Sequence, residues 1–274
     1  MAAVTAPEPM PTARELLAFY LEAGVDCALS ETPVNRLVEE LVAEERPAPK
    51  PALFRTANPA PAPKPADLTP APDAAILSAR ELAPQAASLQ ELRDLLERFD
   101  GCALKSTATR LVFADGNPQA KVMFVGEAPG RDEDLEGLPF VGRSGKLLDL
   151  MMAAIGLDRS NAYIANIIPW RPPGNRDPSA QETQICLPFI RRQIQLVDPD
   201  VLVCLGKPSS QAILNVTDGI VKTRGKWFDY DTGTRTIRAT ATFHPAYLLR
   251  QPISKRQTWQ DLRAVQKALQ SAAG

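Results

Sequence analysis

Four short runs of nearly unbroken apolar character mark the second half of the chain: KVMFVG at 121–126, AYIANI at 162–167, VLVCLG at 201–206 and TIRATATF at 236–243. Helical patterns lie between and after them, at 144–156, 179–197, 207–215 and 256–272. Apolar strands alternating with helices predict a central, mostly parallel sheet covered on both faces, a three-layer α/β/α sandwich. Upstream, SLQELRDLLERF at 88–99 predicts an amphipathic helix with Ser88 as its N-cap and Glu91 completing a capping box. The folded body is expected to begin there.

The first 87 residues read differently. Residues 47–72 hold nine prolines and seven alanines in 26 positions, a composition that buries no apolar face and predicts a semi-rigid linker. Two short helical patterns precede it, at 13–23 and 34–45, the second with Val34, Leu37, Val38, Leu41 and Val42 on one stripe. The expected organisation is a helical hairpin over 1–46, a Pro/Ala-rich linker over 47–87 and a body over 88–274. The hairpin is too small to be stable alone, so it packs on the body or recruits a partner, a replication or repair protein being the candidate.

Composition narrows the classes. With 45% hydrophobic and 23% charged residues, the 274-residue chain is neither fibrous nor wholly disordered. No apolar run approaches the ~20 residues of a membrane span, and no leader pattern opens the sequence. Four cysteines without paired spacing make no disulfide framework, which fits a reducing cytoplasm. The formal charge of −1 hides an asymmetry: residues 1–100 carry −7 and residues 101–274 carry +6. A basic body suits a polyanion such as nucleic acid, although a scattered solvated surface has the same signature.

In a parallel sheet, ligands bind at the carboxyl ends of the strands. After the first strand comes Gly126-Glu127-Ala128-Pro129-Gly130, a turn able to offer backbone N–H groups, then Phe140 in a loop before the next helix. Asn166 ends the second strand; its amide can donate and accept at once, as reading a pyrimidine edge requires, or simply cap the loop. The last strand runs into Phe243-His244-Pro245, which places the only histidine of the chain on the same rim.

Taken together, VMFVGEAPGRDEDLEGLPFVG, YIANIIPWRPPGNRDP and TFHPAYLLR closely resemble the uracil-DNA glycosylase superfamily, in its family-4-type branch, over roughly residues 88–274. The resemblance implies a monomeric enzyme of base excision repair in the bacterial cytoplasm, acting at the nucleoid. It flips deoxyuridine out of DNA and hydrolyses the N-glycosidic bond, leaving uracil and an abasic site. On that resemblance Phe140 stacks on the base, Asn166 reads its edge, and Ala128 and Gly130 help hold it. His244 binds uracil O2 as charge develops there. Glu127 and Glu133 are the two candidates for the carboxylate that positions water or stabilises the sugar cation. Leu248 is the wedge that fills the vacated stack, with packing of a short helix as the other reading for Leu248 or Leu249. Arg171, Arg176, Lys222, Arg224, Lys226 and Arg250 are the candidate phosphate contacts.

The chain departs from the branch at one place. Family-4-type enzymes hold a four-iron, four-sulfur cluster on four cysteines, whereas here the matching positions read Phe99, Cys102, Trp170 and Cys186. Two thiolates do not hold such a cluster, so neither a cluster nor any other metal or cofactor is expected. Two further readings belong to other classes: a uracil- or abasic-site-binding module with little turnover, and a scaffold that recruits repair partners through its N-terminus.

Overall fold

The computed structural model describes residues 72–272; the hairpin expected at 1–46, and the linker as far as 71, lie outside the described residues. From the N-terminal side come α1 (Pro72–Leu82), α2 (Leu89–Arg98) and α3 (Leu104–Thr107). Strands β1 (Asp115–Gly116) and β2 (Val122–Gly126) precede α4 (Arg131–Glu136) and α5 (Arg143–Ala153). Then β3 (Tyr163–Asn166) leads to α6 (Ala180–Val197), and β4 (Val201–Leu205) to α7 (Lys207–Leu214) and α8 (Ile220–Thr223). A hairpin of β5 (Trp227–Asp231) and β6 (Thr236–Thr242) is followed by α9 (Pro245–Arg250) and α10 (Lys255–Ala272).

The sheet runs β1-β3-β2-β4-β6-β5. Its four inner strands are parallel, and both edge strands are antiparallel. Every residue of β2, β3 and β4 is buried, which is why these strands read as continuous apolar runs. Alternate side chains nevertheless divide between two cores. Met123, Val125, Leu202, Cys204, Ala239 and Ala241 face the layer of α1, α2 and α6. Val122, Phe124, Val201, Val203 and Leu205 face the other layer, where Leu148 and Met152 of α5 meet Leu262 and Val265 of α10.

The four expected strands are found within a residue or two of their predicted ends. The two edges were not anticipated: β1 is only two residues long, and β5 carries exposed Asp229 and Asp231 among its aromatics. Ser88 caps α2 as the sequence suggests, but Glu91 bonds the residue before the cap and so does not complete the expected capping box. Ser88 Oγ accepts from the N–H of Glu91 at 3.2 Å, and the Glu91 carboxylate reaches back to the N–H of Ala87 at 2.7 Å.

The linker boundary at 87 requires correction. Residues 72–82 are helical, and Ala75, Ala79, Ala83 and Ala86 are buried against the core. Arg192 of α6 clamps this end by donating twice to the carbonyl of Ala86, at 2.9 and 2.7 Å. Small residues at four-residue spacing let α1 lie close on α6. Such a face escapes a search for bulky apolar stripes.

The packing predicts unequal truncations. A chain beginning at Pro72 keeps these alanine contacts and serves as the reference. A chain beginning at Ser88 loses four buried methyl groups at about 0.8 kcal/mol each, roughly 3 kcal/mol in all. That corresponds to a melting temperature lower by about 6–12 °C. Equal melting temperatures for the two chains contradict this.

Candidate active site

Parallel pairing brings four strand ends to one rim. Gly126 pairs with Asn166 across β2 and β3, and Leu205 pairs with Thr242 across β4 and β6, so Gly206 follows at once and His244 two residues on. The loops leaving these ends enclose a cleft of about 430 Å³. Glu127, Ala128, Gly130, Glu133, Phe140, Asn166, Arg176, His244 and Arg250 all line it, so the residues expected to meet the base share one cavity. The carboxyl-end rule also applies to the loop after β4, where the sequence offers no distinctive motif. Lys207 lines the cleft from that loop, with Asp177 and Tyr247 from neighbouring ones.

Phe140 and Asn166 close over Gly126. A Cβ there would stand 2.4 Å from Asn166 Oδ1 and 2.6 Å from the Phe140 ring, so only glycine admits both side chains. Asn166 is buried, and its Oδ1 takes no hydrogen bond among the described residues. An acceptor left unpaired in this way costs about 1–3 kcal/mol until a donor arrives. Phe140 has φ +56°, a left-handed backbone that costs a bulky residue of the order of 1–3 kcal/mol. Its ring centroid is 5.5 Å from that of His244.

The two candidate carboxylates have separate environments. Glu133 is buried, and its oxygens accept from the N–H groups of Gly130 (3.0 Å), Val141 (3.1 Å) and Gly142 (3.0 Å). This carboxylate is spent on the loops. Glu127 is half-buried in the cleft wall with no donor to its carboxylate among the described residues. Burial raises its pKa, and the nearby Asp177 carboxylate raises it further.

His244 is held as a neutral ring. Its Nδ1 accepts from the N–H of Ala246 at 3.1 Å, which leaves the proton on Nε2. Burial, reinforced by the positive charge of Arg250, lowers its pKa to about 4.

Several expected DNA contacts are otherwise engaged. Arg224 requires correction: its guanidinium is bound to the buried Asp261 and to the carbonyl of Gln257, which ties α10 to the segment before β5. Arg176 pairs in bidentate fashion with Glu182, and this pairing holds the Glu182 carboxyl down at about 2. Arg171 donates to the Asn175 side chain. Lys222, Lys226 and Arg250 are exposed and form no ion pair among the described residues. Leu248 also requires correction as the wedge. It is 1% exposed and sits in the α5–α10 core, whereas Leu249 is 38% exposed and Ile253 86%.

The positions matching cluster ligands are packed as a core. Cys102 and Cys186 are buried, with Sγ atoms 4.0 Å apart. Phe99 is buried edge-on against Phe189 at 5.0 Å, and Trp170 is 2% exposed. Cys204 points into the same core from β4, and burial pushes its thiol up to about 12. Among the described residues no three His, Cys, Asp or Glu side chains gather as metal ligands would. Two thiols and two aromatic rings do not fit a four-iron cluster.

The chain has one histidine, so its titration can be read without ambiguity. The unfolded chain takes the proton at 6.5 and the folded one at about 4. Stability from this group is therefore complete above 6.5 and is lost as the pH falls through 4. NMR of the untagged protein should show the Nε2–H tautomer and a midpoint near 4; a midpoint near 6.5 contradicts the assignment.

Comparison with known proteins agrees with this geometry. The profile of the uracil DNA glycosylase superfamily matches residues 113–263, more than half of the chain. The type-4 uracil-DNA glycosylase of Archaeoglobus fulgidus is 41% identical over 184 residues, covering 65% of this chain and 92% of that protein. The type-4 enzyme of Saccharolobus solfataricus is 36% identical over 67% of this chain and 88% of its own length. That of Thermotoga maritima is 38% identical over 59% and 83% respectively. A sheet whose strand ends gather these side chains on one rim, in a chain so similar over nearly the whole length of these relatives, belongs to the uracil-DNA glycosylase superfamily, in its type-4 branch.

Proposed function

We propose that the protein excises uracil from DNA by hydrolysing the bond between uracil N1 and the deoxyribose C1′. The observation that carries this reading is the buried Asn166 amide, with an acceptor that no described residue satisfies, beside the Phe140 ring and the neutral His244. Uracil presents what the site lacks: a ring to stack on Phe140, an N3–H for Asn166 Oδ1 and an O4 for its amide N–H. Cytosine has an unprotonated N3 and an amino group at those places, so it leaves the buried amide unpaired.

In the reaction the C1′–N1 electron pair leaves with the base, and negative charge spreads onto uracil O2. His244 donates Nε2–H to that oxygen, and because the ring is neutral it stabilises the anion without first losing a proton. Glu127 faces the sugar. Its carboxylate stabilises the cationic C1′ and takes a proton from the water whose oxygen bonds C1′; that proton passes through solvent to the uracil anion, so the products are uracil and an abasic site and Glu127 is again ionised. Glu133 supports the loops and performs no step. Among the basic residues, Lys222, Lys226 and Arg250 are free to bind phosphates, and Leu249 takes the place of Leu248 as the apolar residue beside the vacated stack. No step passes through an iron–sulfur cluster. Uracil-containing DNA is the partner, and the segment before residue 72 is the one proposed to recruit a repair protein. Among the described residues no helix is long and apolar enough to cross a membrane.

The test is a single-uracil oligonucleotide followed by alkaline cleavage at abasic sites. The parent should give strand scission, His244→Ala should lower the single-turnover rate by about 10²–10³ with little change in DNA affinity, and Glu127→Gln should likewise slow the chemical step more than it weakens DNA binding. Asn166→Asp should weaken uracil excision and admit cytosine. Absence of scission by the folded parent leaves only a binding module. Protein purified anaerobically should carry no stoichiometric iron and no iron–sulfur absorbance; four irons per chain contradict the packing at Phe99 and Trp170.

A further inference from the structure

The left-handed backbone at Phe140 does not hold itself. Arg159, in the loop before β3, donates from Nη2 to the carbonyl of Phe140 and from Nη1 to that of Pro139, the latter at 3.1 Å. The guanidinium is fixed in turn by two carboxylates: Asp149 of α5 accepts from Nε at 2.9 Å, and Asp115 of β1 accepts from Nη1. Five donors in a rigid plane suit this task, since one group can hold two successive carbonyls and two acids at once. The arrangement also accounts for the two-residue edge strand. Pairing of β1 with β3 sets Asp115 opposite Ile164, and Gly116, at φ +102°, has no room for a Cβ beside the Ala162 carbonyl. On the far side Gly145 lets α5 approach, because a Cβ there would stand 1.7 Å from the Phe140 carbonyl oxygen.

We infer that Arg159 is a positioning residue for base recognition: by gripping the carbonyls of Pro139 and Phe140 while braced by Asp115 and Asp149, it holds the Phe140 ring against His244 before the base arrives. Both carbonyls point away from the cleft toward Arg159, which does not line the cavity itself. Arg159 therefore acts only through Phe140. A preformed ring position spares the substrate the ordering of a loop on binding. This inference rests on the uracil reading for its catalytic consequence and on geometry alone for its structural part.

The experiment compares Arg159→Lys and Arg159→Met with the parent, each also in a Phe140→Ala background. The lysine keeps the charge but not the planar fork. In the parent background, uracil excision in single turnover should slow about tenfold, the size of coupling found between contacting residues. Inhibition by free uracil should weaken by a similar factor, and affinity for uracil-free DNA at one salt concentration should not move. In the Phe140→Ala background the same substitutions should change the rate less than about twofold. A second readout needs no activity: an NMR cross-relaxation contact between the rings of Phe140 and His244 should be present in the parent and lost in Arg159→Met. If Arg159→Met does not fold, Asp149→Asn, at the exposed end of the network, should show the same coupling to Phe140 with a smaller magnitude. Equal slowing with and without the Phe140 ring, or an undiminished ring contact in the variants, overturns the inference. A parent that excises nothing while the ring contact still depends on Arg159 overturns the uracil reading and leaves the positioning role standing.

Discussion

One buried carboxylate ties the site together. Glu133 accepts the N–H of Gly130 from the turn after β2 and those of Val141 and Gly142 from the loop that carries Phe140. Hydrogen bonds to a charged acceptor are worth about 1.5–3 kcal/mol each, and three of them lock two loops that would otherwise move separately. The turn after β2 and the loop that follows Phe140 are tied together by that lock. Arg159 then grips the carbonyls of Pro139 and Phe140, while the strand ends set Asn166 and His244 opposite the ring.

That arrangement also divides the chemistry. The Glu133 carboxylate accepts three loop N–H groups, so its lone pairs are committed to the loops and not to the cleft. Glu127 lacks such donors among the described residues, and burial, with Asp177 beside it, raises its pKa in the cleft wall. On the opposite side, His244 is kept neutral by burial and by Arg250, with its proton fixed on Nε2 by the Ala246 N–H. Strong donation from a neutral ring suits an anionic leaving group, since no charge has to be dissipated before or after the bond breaks.

Much of this was legible in the sequence, and the rest was hidden for identifiable reasons. The inner strands could be read because double-sided burial demands unbroken apolar runs, and their ends then pointed to Asn166 and His244. The choice between Glu127 and Glu133 could not be read, because it depends on N–H groups eight and nine residues further along the chain. Arg224 resembled its basic neighbours, yet its partner Asp261 lies 37 residues away on another helix. Leu248 and Leu249 are adjacent and chemically identical, and only the packing of α9 on α5 buries the first and exposes the second. Helix α1 was concealed by the prolines before it, since its packing face is alanine. Arg159 carried no local signal at all; its significance lies in carbonyls 19 and 20 residues upstream.

The buried acceptor of Asn166, unpaired among the described residues, is what a pyrimidine N3–H would satisfy. The most direct test of this reading is a crystal structure of the protein with uracil in the cleft. The base should stack on Phe140, with N3 within about 2.7–3.2 Å of Asn166 Oδ1 and O2 at a similar distance from His244 Nε2. Uracil bound elsewhere, or an Asn166 Oδ1 already satisfied by a donor of the protein, contradicts it.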